Sequence, residues 1–114
     1  MDKRILKTGY IRLRFKLSEK SYQTIQNAIK QSKAKFDHVG LDLISLDFIS
    51  GNNLPSIIKG KVIGNKRFLV RLYPDQYETL MIAFEIAKEH VTSDEEALVV
   101  VCKSFLKTDK QFLV

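Results

Sequence analysis

Basic side chains alternate with apolar ones in two short segments of the chain, and this spacing could bind an anion. Six lysines and arginines and no acid lie from Lys3 to Lys16, and five basic residues and no acid lie from Lys59 to Arg71. Six positions of these segments share one side of the alternation, and five of the six are basic. They are Arg12, Arg14, Lys16, Arg67, Leu69 and Arg71. Because a solvated strand face usually mixes charges of both signs, the pattern predicts a surface that binds a negatively charged ligand.

The same alternation predicts the elements that hold these side chains. Apolar residues occupy every second position from Ile11 to Leu17 and from Phe68 to Leu72, which is typical of strands with one buried face. Each strand is predicted to lead into a helix. Ser18 is a favourable N-cap for a helix over residues 19–34, and Pro74 suits the first position of the corresponding helix in the second half.

A second helix is predicted in each half. Ser93 and Glu96 form a capping-box pattern before an apolar run, which indicates a helix start. The segment from Leu41 to Ile49 fits a helix and also partly fits a strand, and the β-branched run Val99–Val101 leaves the same choice. We interpret both segments as helices and keep strands as the alternative.

The two halves of the chain share this order of elements and their apolar positions. Residues 9–50 match residues 64–107 in apolar pattern, which predicts an internal repeat joined by a linker over residues 51–63. A chain of 114 residues has the usual size of one domain. We therefore predict a single compact domain over residues 1–114.

A basic strand followed by two helices, present twice, resembles the ribbon-helix-helix (Arc/MetJ-type) family of DNA-binding proteins. The resemblance implies a mainly α-helical fold with a short two-stranded antiparallel ribbon, built here as a tandem pseudo-dimer within one chain. If the second segments were strands, each copy would instead be strand–helix–strand, and the whole would be a ferredoxin-like α+β sandwich.

The resemblance implies binding to double-stranded DNA, because in that family a two-stranded ribbon enters the major groove. Arginine can donate two hydrogen bonds to guanine, so the basic outward positions would read bases. Leu69 stands where the first copy has Arg14, and an apolar side chain can contact a thymine methyl group, so we predict unequal half-sites. Lys3, Arg4 and Lys7 are predicted to contact phosphates from an N-terminal arm.

The resemblance also implies that each second helix anchors a phosphate at its start, near His38 and near Ser93. Asp94 and Glu95 add negative charge at the second of these starts. The function expected from family habit is transcription regulation, with repression as the usual form.

An alternative function is a protein-interaction module of the antitoxin or inhibitor type. Met81, Ile82 and Ile86 are apolar where the first copy has polar residues, so this helix face could serve self-association or a protein partner.

Composition excludes several other classes of protein. The longest apolar run, Ala97–Cys102, is far too short to span a membrane, and no signal peptide is recognisable at the N-terminus. A single cysteine and two isolated histidines do not make a metal site, and we expect no cofactor. No nucleophile or acid–base pattern is present, so we do not expect an enzyme. Because one cysteine cannot form an internal disulfide and no signal peptide is recognised, we expect a cytoplasmic protein.

Overall fold

The computed structural model describes residues 1–51, 58 and 60–112, with the backbone alone for residues 108–112. Strands and helices follow in the order β1 (Asp2–Ile5), β2 (Ile11–Leu17), α1 (Glu19–Gln31), α2 (Asp37–Ile49), β3 (Lys66–Leu72), α3 (Pro74–Ala87) and α4 (Asp94–Phe112).

The strands form one antiparallel sheet in the order β1-β2-β3, so β2 lies in the middle. Ile11 pairs with Leu72 and Leu17 with Lys66 along the β2–β3 ladder. The short strand β1 pairs with the first half of β2, and a turn joins the two strands. Leu6 donates a backbone hydrogen bond to Tyr10 in this turn, and Gly9 has φ +90°, a conformation that favours glycine.

This sheet corrects the predicted fold class. A mainly α-helical fold with a two-stranded ribbon, arranged as a tandem ribbon-helix-helix pseudo-dimer, is wrong, because the residues of β1 add a third strand. The chain is a compact α+β fold of four helices and a three-stranded antiparallel sheet among the described residues, about 54% helical and 18% strand. The ferredoxin-like alternative is also wrong, because Leu41–Ile49 and Val99–Val101 lie in helices.

All four helices pack on one face of the sheet, and the core lies between them. The alternation of the strands sends the apolar side chains of β2 and β3 into this layer. The inward-facing residues are Ile11, Leu13, Phe15, Leu17, Phe68, Val70 and Leu72, and all are buried. Ile25, Leu41, Leu80 and Leu98, one from each helix, meet them with at most 1% exposure. The other face of the sheet is left for the basic side chains.

Local signals in the sequence account for most helix ends. The Ser18 hydroxyl accepts a hydrogen bond from the Ser21 amide, as expected of an N-cap. Pro74 begins α3, and Ser93 caps α4. Helix α1 ends at Gln31, three residues before the predicted end, because Lys33 adopts a left-handed conformation with φ +59°.

The end of the linker is fixed to the middle strand. Val62 is buried, and its carbonyl accepts a hydrogen bond from the Ser18 amide at 2.7 Å. A Cβ on Gly64 would lie 2.8 Å from the Cα of Ser18, so glycine is required by this close approach. Of the predicted linker, the described residues are 51, 58 and 60–63. Residues 108–112, beyond the predicted second copy, continue α4.

Candidate nucleic-acid interface

The predicted outward positions lie together on the sheet face that the helices do not cover, which we name the outer face. Strand β1 contributes Asp2 and Arg4 to this face, because they pair with outward residues of β2. The remaining members are Arg12, Arg14, Lys16, Arg67, Leu69 and Arg71. Six of these eight side chains are basic, and one is acidic.

Like charges face each other across the strands of the outer face. Arg12 lies opposite Arg4 on one side and Arg71 on the other, so three guanidinium groups form one row. Lys16 lies opposite Arg67 in a further row. Like charges that are directly opposed in a sheet are destabilising, and the roughly 0.2–1 kcal/mol contributed by an opposite-charge pair sets the scale of the effect for each pair. The outer face is therefore an electrostatically unfavourable arrangement that a bound polyanion would relieve.

The row between these two is different, because it contains the acid. Asp2 accepts a hydrogen bond from a terminal guanidinium nitrogen of Arg14 at 2.8 Å. Across β3, Leu69 completes the row with 46% of its surface exposed. The sequence difference between Arg14 and Leu69 thus places an internally paired arginine beside an exposed apolar side chain at the centre of the outer face.

The guanidinium groups of β2 keep unused hydrogen-bonding capacity. The Nε atoms of Arg12 and Arg14 are withdrawn from solvent and have no hydrogen-bond partner among the described residues. Both arginines are only half-exposed because β1 and β3 flank them. Buried donors normally have a partner, so these two atoms are sites where an acceptor would be stabilising.

The N-terminal basic residues do not form a free arm. Lys3 and Arg4 are part of β1, and only Arg4 lies on the outer face. The Lys3 ammonium lies 5.0 Å from the centre of the Tyr77 ring, on the helix side of the sheet. Lys7 is exposed in the turn between β1 and β2.

The two predicted phosphate-anchoring helix starts differ in what surrounds them. The start of α2 borders an open groove against β3, and its N-cap residue Phe36 makes no side-chain cap hydrogen bond. His38 follows in the first turn, and its Nδ1 atom lies 3.2 Å from the side-chain amide nitrogen of Gln76. The first turn therefore borders open space beside the outer face.

The start of α4 is closed by groups of the chain itself. The Ser93 hydroxyl accepts a hydrogen bond from the Glu96 amide at 3.0 Å, and the Glu96 carboxylate accepts from the Ser93 amide at 3.1 Å. The Ser93 hydroxyl also donates to the Glu96 carboxylate at 2.9 Å, and this hydrogen bond first, then the one from the Ser93 amide, lower the pKa of Glu96. Glu95 is buried and pairs with the amino group of Met1 at 3.0 Å. The geometry thus favours His38 over Ser93 as the anchoring position.

A second surface lies where α2 packs against α3, and we name it the α2–α3 surface. Of the apolar residues expected there, Ile82 is 49% exposed, whereas Met81 and Ile86 are half-buried. Sequence reasoning missed Leu43 and Leu46 on α2, which are 44% and 49% exposed. Apolar residues lie on nearly all sides of α2, so periodicity did not mark which of them would be exposed.

The charge around the α2–α3 surface is opposite to that of the outer face. The two helices carry six acidic residues and no lysine or arginine. Burial first, and then the charge of Asp75, raise the pKa of Asp42, while His38 lowers it. The outer face is therefore mainly basic, whereas α2 and α3 contribute only acidic charges.

Sequence reasoning also missed the residues that complete the outer face from β1. Gly9, just before the predicted strand Ile11–Leu17, was the available turn signal, but Asp2–Ile5 lacks the composition typical of a strand. Nothing in the sequence marks Glu95 as the partner of the Met1 amino group, because these residues are distant in the chain.

No family model, curated protein or solved structure matches the chain. The described helices include none that is both long and apolar enough to cross a membrane. Across the same residues, no cluster of histidine, cysteine and acidic side chains has the composition of a metal site.

Proposed function

We propose that the outer face binds double-stranded DNA and that the protein thereby regulates transcription. The observation that carries the proposal is the row formed by Arg4, Arg12 and Arg71, together with the opposed pair of Lys16 and Arg67. A sheet that places like charges directly opposite one another is stabilised by a ligand with regularly spaced negative charges. Duplex DNA provides one phosphate per about 1.7 Å of helix axis.

The dimensions of the sheet are compatible with the major groove. Neighbouring strands lie about 4.8 Å apart, so three strands span roughly 10 Å between the outer backbones. The major groove is about 12 Å wide and admits a two-stranded β-ribbon, which the β2–β3 pair provides where β1 is absent. Because β1 pairs only with residues 11–14, the end of the sheet near Lys16 is narrower. That end would enter the groove more deeply.

Roles for the individual side chains follow from their partners. Arg12, Lys16, Arg67 and Arg71 are available to donate to base edges or phosphates, whereas Arg14 is paired with Asp2 at 2.8 Å. The exposed side chain of Leu69 suits contact with a thymine methyl group. The preferred site is then centred on an apolar contact and is not a perfect palindrome.

Phosphate contacts outside the groove would also be unequal. The open start of α2 at His38 suits a phosphate, while the start of α4 carries Asp94, Glu95 and Glu96 and is closed by Met1. Binding that is anchored mainly on one side would give a footprint extended towards the α2 side.

The test compares two variants that lose the same charge. Arg67→Gln/Arg71→Gln removes two basic residues of the outer face. Lys30→Gln/Lys103→Gln removes two from the far side of the molecule, since Lys30 borders the late part of α4 at Leu106. Affinity for a mixed-sequence duplex is measured by fluorescence anisotropy over a salt series.

The two variants are expected to differ clearly in their affinity for duplex DNA. Loss of two DNA contacts should weaken binding by more than tenfold and make the dependence of log affinity on log salt shallower by about 2. The Lys30→Gln/Lys103→Gln control should bind within about twofold of the wild type, because both lysines lie on helices, which pack on the opposite face of the sheet. Equal effects of both variants would indicate attraction by net charge alone and would refute the assigned interface.

A second candidate function is head-to-tail self-association, favoured by the charge of the α2–α3 surface. Leu43, Leu46 and Ile82 are exposed there among acidic residues, and the outer face of a second copy offers the complementary charge. Sedimentation velocity at low and high salt tests this reading. Salt-sensitive oligomers that are lost both in Ile82→Lys and in Arg67→Gln/Arg71→Gln would favour it over DNA binding.

A further inference from the structure

An open groove of about 470 Å³ runs between the start of α2 and the free edge of β3, next to the outer face. Phe36 and His38 line it from the helix, and Leu69 and Arg71 line it from the strand. The corresponding space between α4 and β2 is a smaller groove of about 320 Å³, lined among others by Met1, Asp2 and Glu95. The groove at α2 is the larger of the two, and it has aromatic side chains in its lining.

Aromatic rings line up beside this groove. Phe36 and His38 stack nearly parallel, with centroids 5.8 Å apart and an interplanar angle of 14°. His38 meets the Tyr73 ring edge-on at 5.6 Å, and Tyr73 contacts Tyr10 at 4.9 Å. His38 is further held by Gln76. Neighbouring rings therefore support Phe36, although 58% of its own surface is exposed.

The position of Phe36 works against the stability of the helix. It is the N-cap residue of α2, where serine, threonine, aspartate or asparagine is strongly preferred, and it makes no side-chain cap bond. The other half of the molecule has a functioning serine cap at Ser93. Phe36 is therefore an exposed aromatic residue at a helix position that disfavours it, and helix stability does not explain its presence there.

We propose that this groove binds an unpaired nucleobase, which stacks on Phe36 while Lys35 and Arg71 hold its flanking phosphates. The inference rests on the proposed DNA binding and deepens it, because the preferred ligand becomes a duplex with an adjoining single strand. Apolar walls formed by Phe36 and Leu69 suit the faces of a base. Lys35 and Arg71 outnumber the single acid Asp37, so the groove favours an anionic ligand.

Continuity with the outer face fixes the expected placement of this base. Leu69 and Arg71 belong to both surfaces, so a strand leaving the duplex at this end of the sheet would pass directly over the groove. Stacking on an aromatic side chain contributes roughly 5- to 100-fold in affinity per base. The groove volume lies in the range of small-ligand sites.

The experiment uses a blunt duplex and the same duplex carrying a three-nucleotide single-stranded tail with 2-aminopurine at its first position. Anisotropy measures both affinities, and 2-aminopurine fluorescence reports stacking directly. The full chain is compared with Phe36→Leu, which keeps an apolar side chain without an aromatic face, and with Phe36→Trp, which keeps that face. Leu46→Ala is the control for loss of exposed apolar surface on the same helix.

The wild type is expected to bind the tailed duplex about tenfold more tightly than the blunt one and to quench 2-aminopurine. Phe36→Leu should lose both effects and keep its affinity for the blunt duplex, while Phe36→Trp and Leu46→Ala should retain both. A tail that adds no affinity, or quenching unchanged in Phe36→Leu, overturns the inference while the duplex proposal stands. Phe36-dependent binding of the tail without binding of blunt duplex supports the groove and overturns the duplex proposal, and binding of neither overturns both.

Discussion

Replacement of Arg12 by threonine should make the protein more stable while it weakens DNA binding. Arg12 lies between Arg4 and Arg71, so one substitution removes two directly opposed like-charge pairs. Threonine is β-branched and keeps a high preference for strands.

The expected gain follows from the number of opposed pairs. At roughly 0.2–1 kcal/mol for each pair, removing two pairs should raise the free energy of unfolding by about 1 kcal/mol. In a domain of this size, that change raises Tm by about 4 °C. The sign is opposite to that of most substitutions at half-buried positions, which lower stability.

Arg14→Thr provides the matched control, because it changes the same residue type on the same face two positions further along β2. Arg14 faces Leu69 on one side and pairs with Asp2 at 2.8 Å on the other. Both side chains of this pair are partly exposed, so its loss should lower stability by about 0.5 kcal/mol. The two threonine variants should therefore move in opposite directions.

The assay is urea denaturation at 0.01 M and at 1 M NaCl, where the Debye length falls from about 30 Å to about 3 Å. The gain in Arg12→Thr should be largest at low salt and nearly absent at 1 M. A gain that persists at 1 M would mean that repulsion is not its cause. Loss of stability in Arg12→Thr comparable with that in Arg14→Thr would show that packing of the Arg12 side chain outweighs the repulsion, and the reasoning about the outer face would be refuted.

Three further outcomes follow from the packing. Gly64→Ala should lower the free energy of unfolding by about 2 kcal/mol, because the new Cβ would lie 2.8 Å from the backbone of Ser18. Chemical denaturation measures this loss of stability, and an unchanged denaturation midpoint would contradict the close approach. Ser93→Ala should cost about 1 kcal/mol at pH 7. The pKa of Glu96 is lowered in the folded state, so the stabilisation that its carboxylate gives the folded protein is complete above the ordinary pKa of 4.5 and is lost as the pH falls through the folded-state pKa. The difference in unfolding free energy between Ser93→Ala and wild type should therefore shrink in acid. A difference that stays constant with pH would argue against the capping box. Burial raises the pKa of Cys102 to about 12, so the folded protein should resist a thiol reagent at pH 8 that modifies it in urea, and fast labelling of the folded chain would place the thiol nearer the surface.

The sequence by itself was sufficient for the elements whose signals are local. Period-two alternation predicted the strands of Ile11–Leu17 and Phe68–Leu72, and both are confirmed. Ser18 and the Ser93–Glu96 capping box were also confirmed as helix starts. These predictions depend on residues within a few positions of one another, so the physics that decides them is contained in a short window.

Only the tertiary structure decided how the outer face is composed. The third strand, which made the predicted fold class wrong, arises because β1 adds to the edge of β2 and brings Asp2 to Arg14 across twelve positions. Pairing of β2 with β3 turned two separate basic segments into rows of opposed arginines. The neighbouring groove likewise joins α2 to β3. Such contacts depend on which strand edges and helix faces remain unpaired once the core has formed, and no local pattern of residues specifies that.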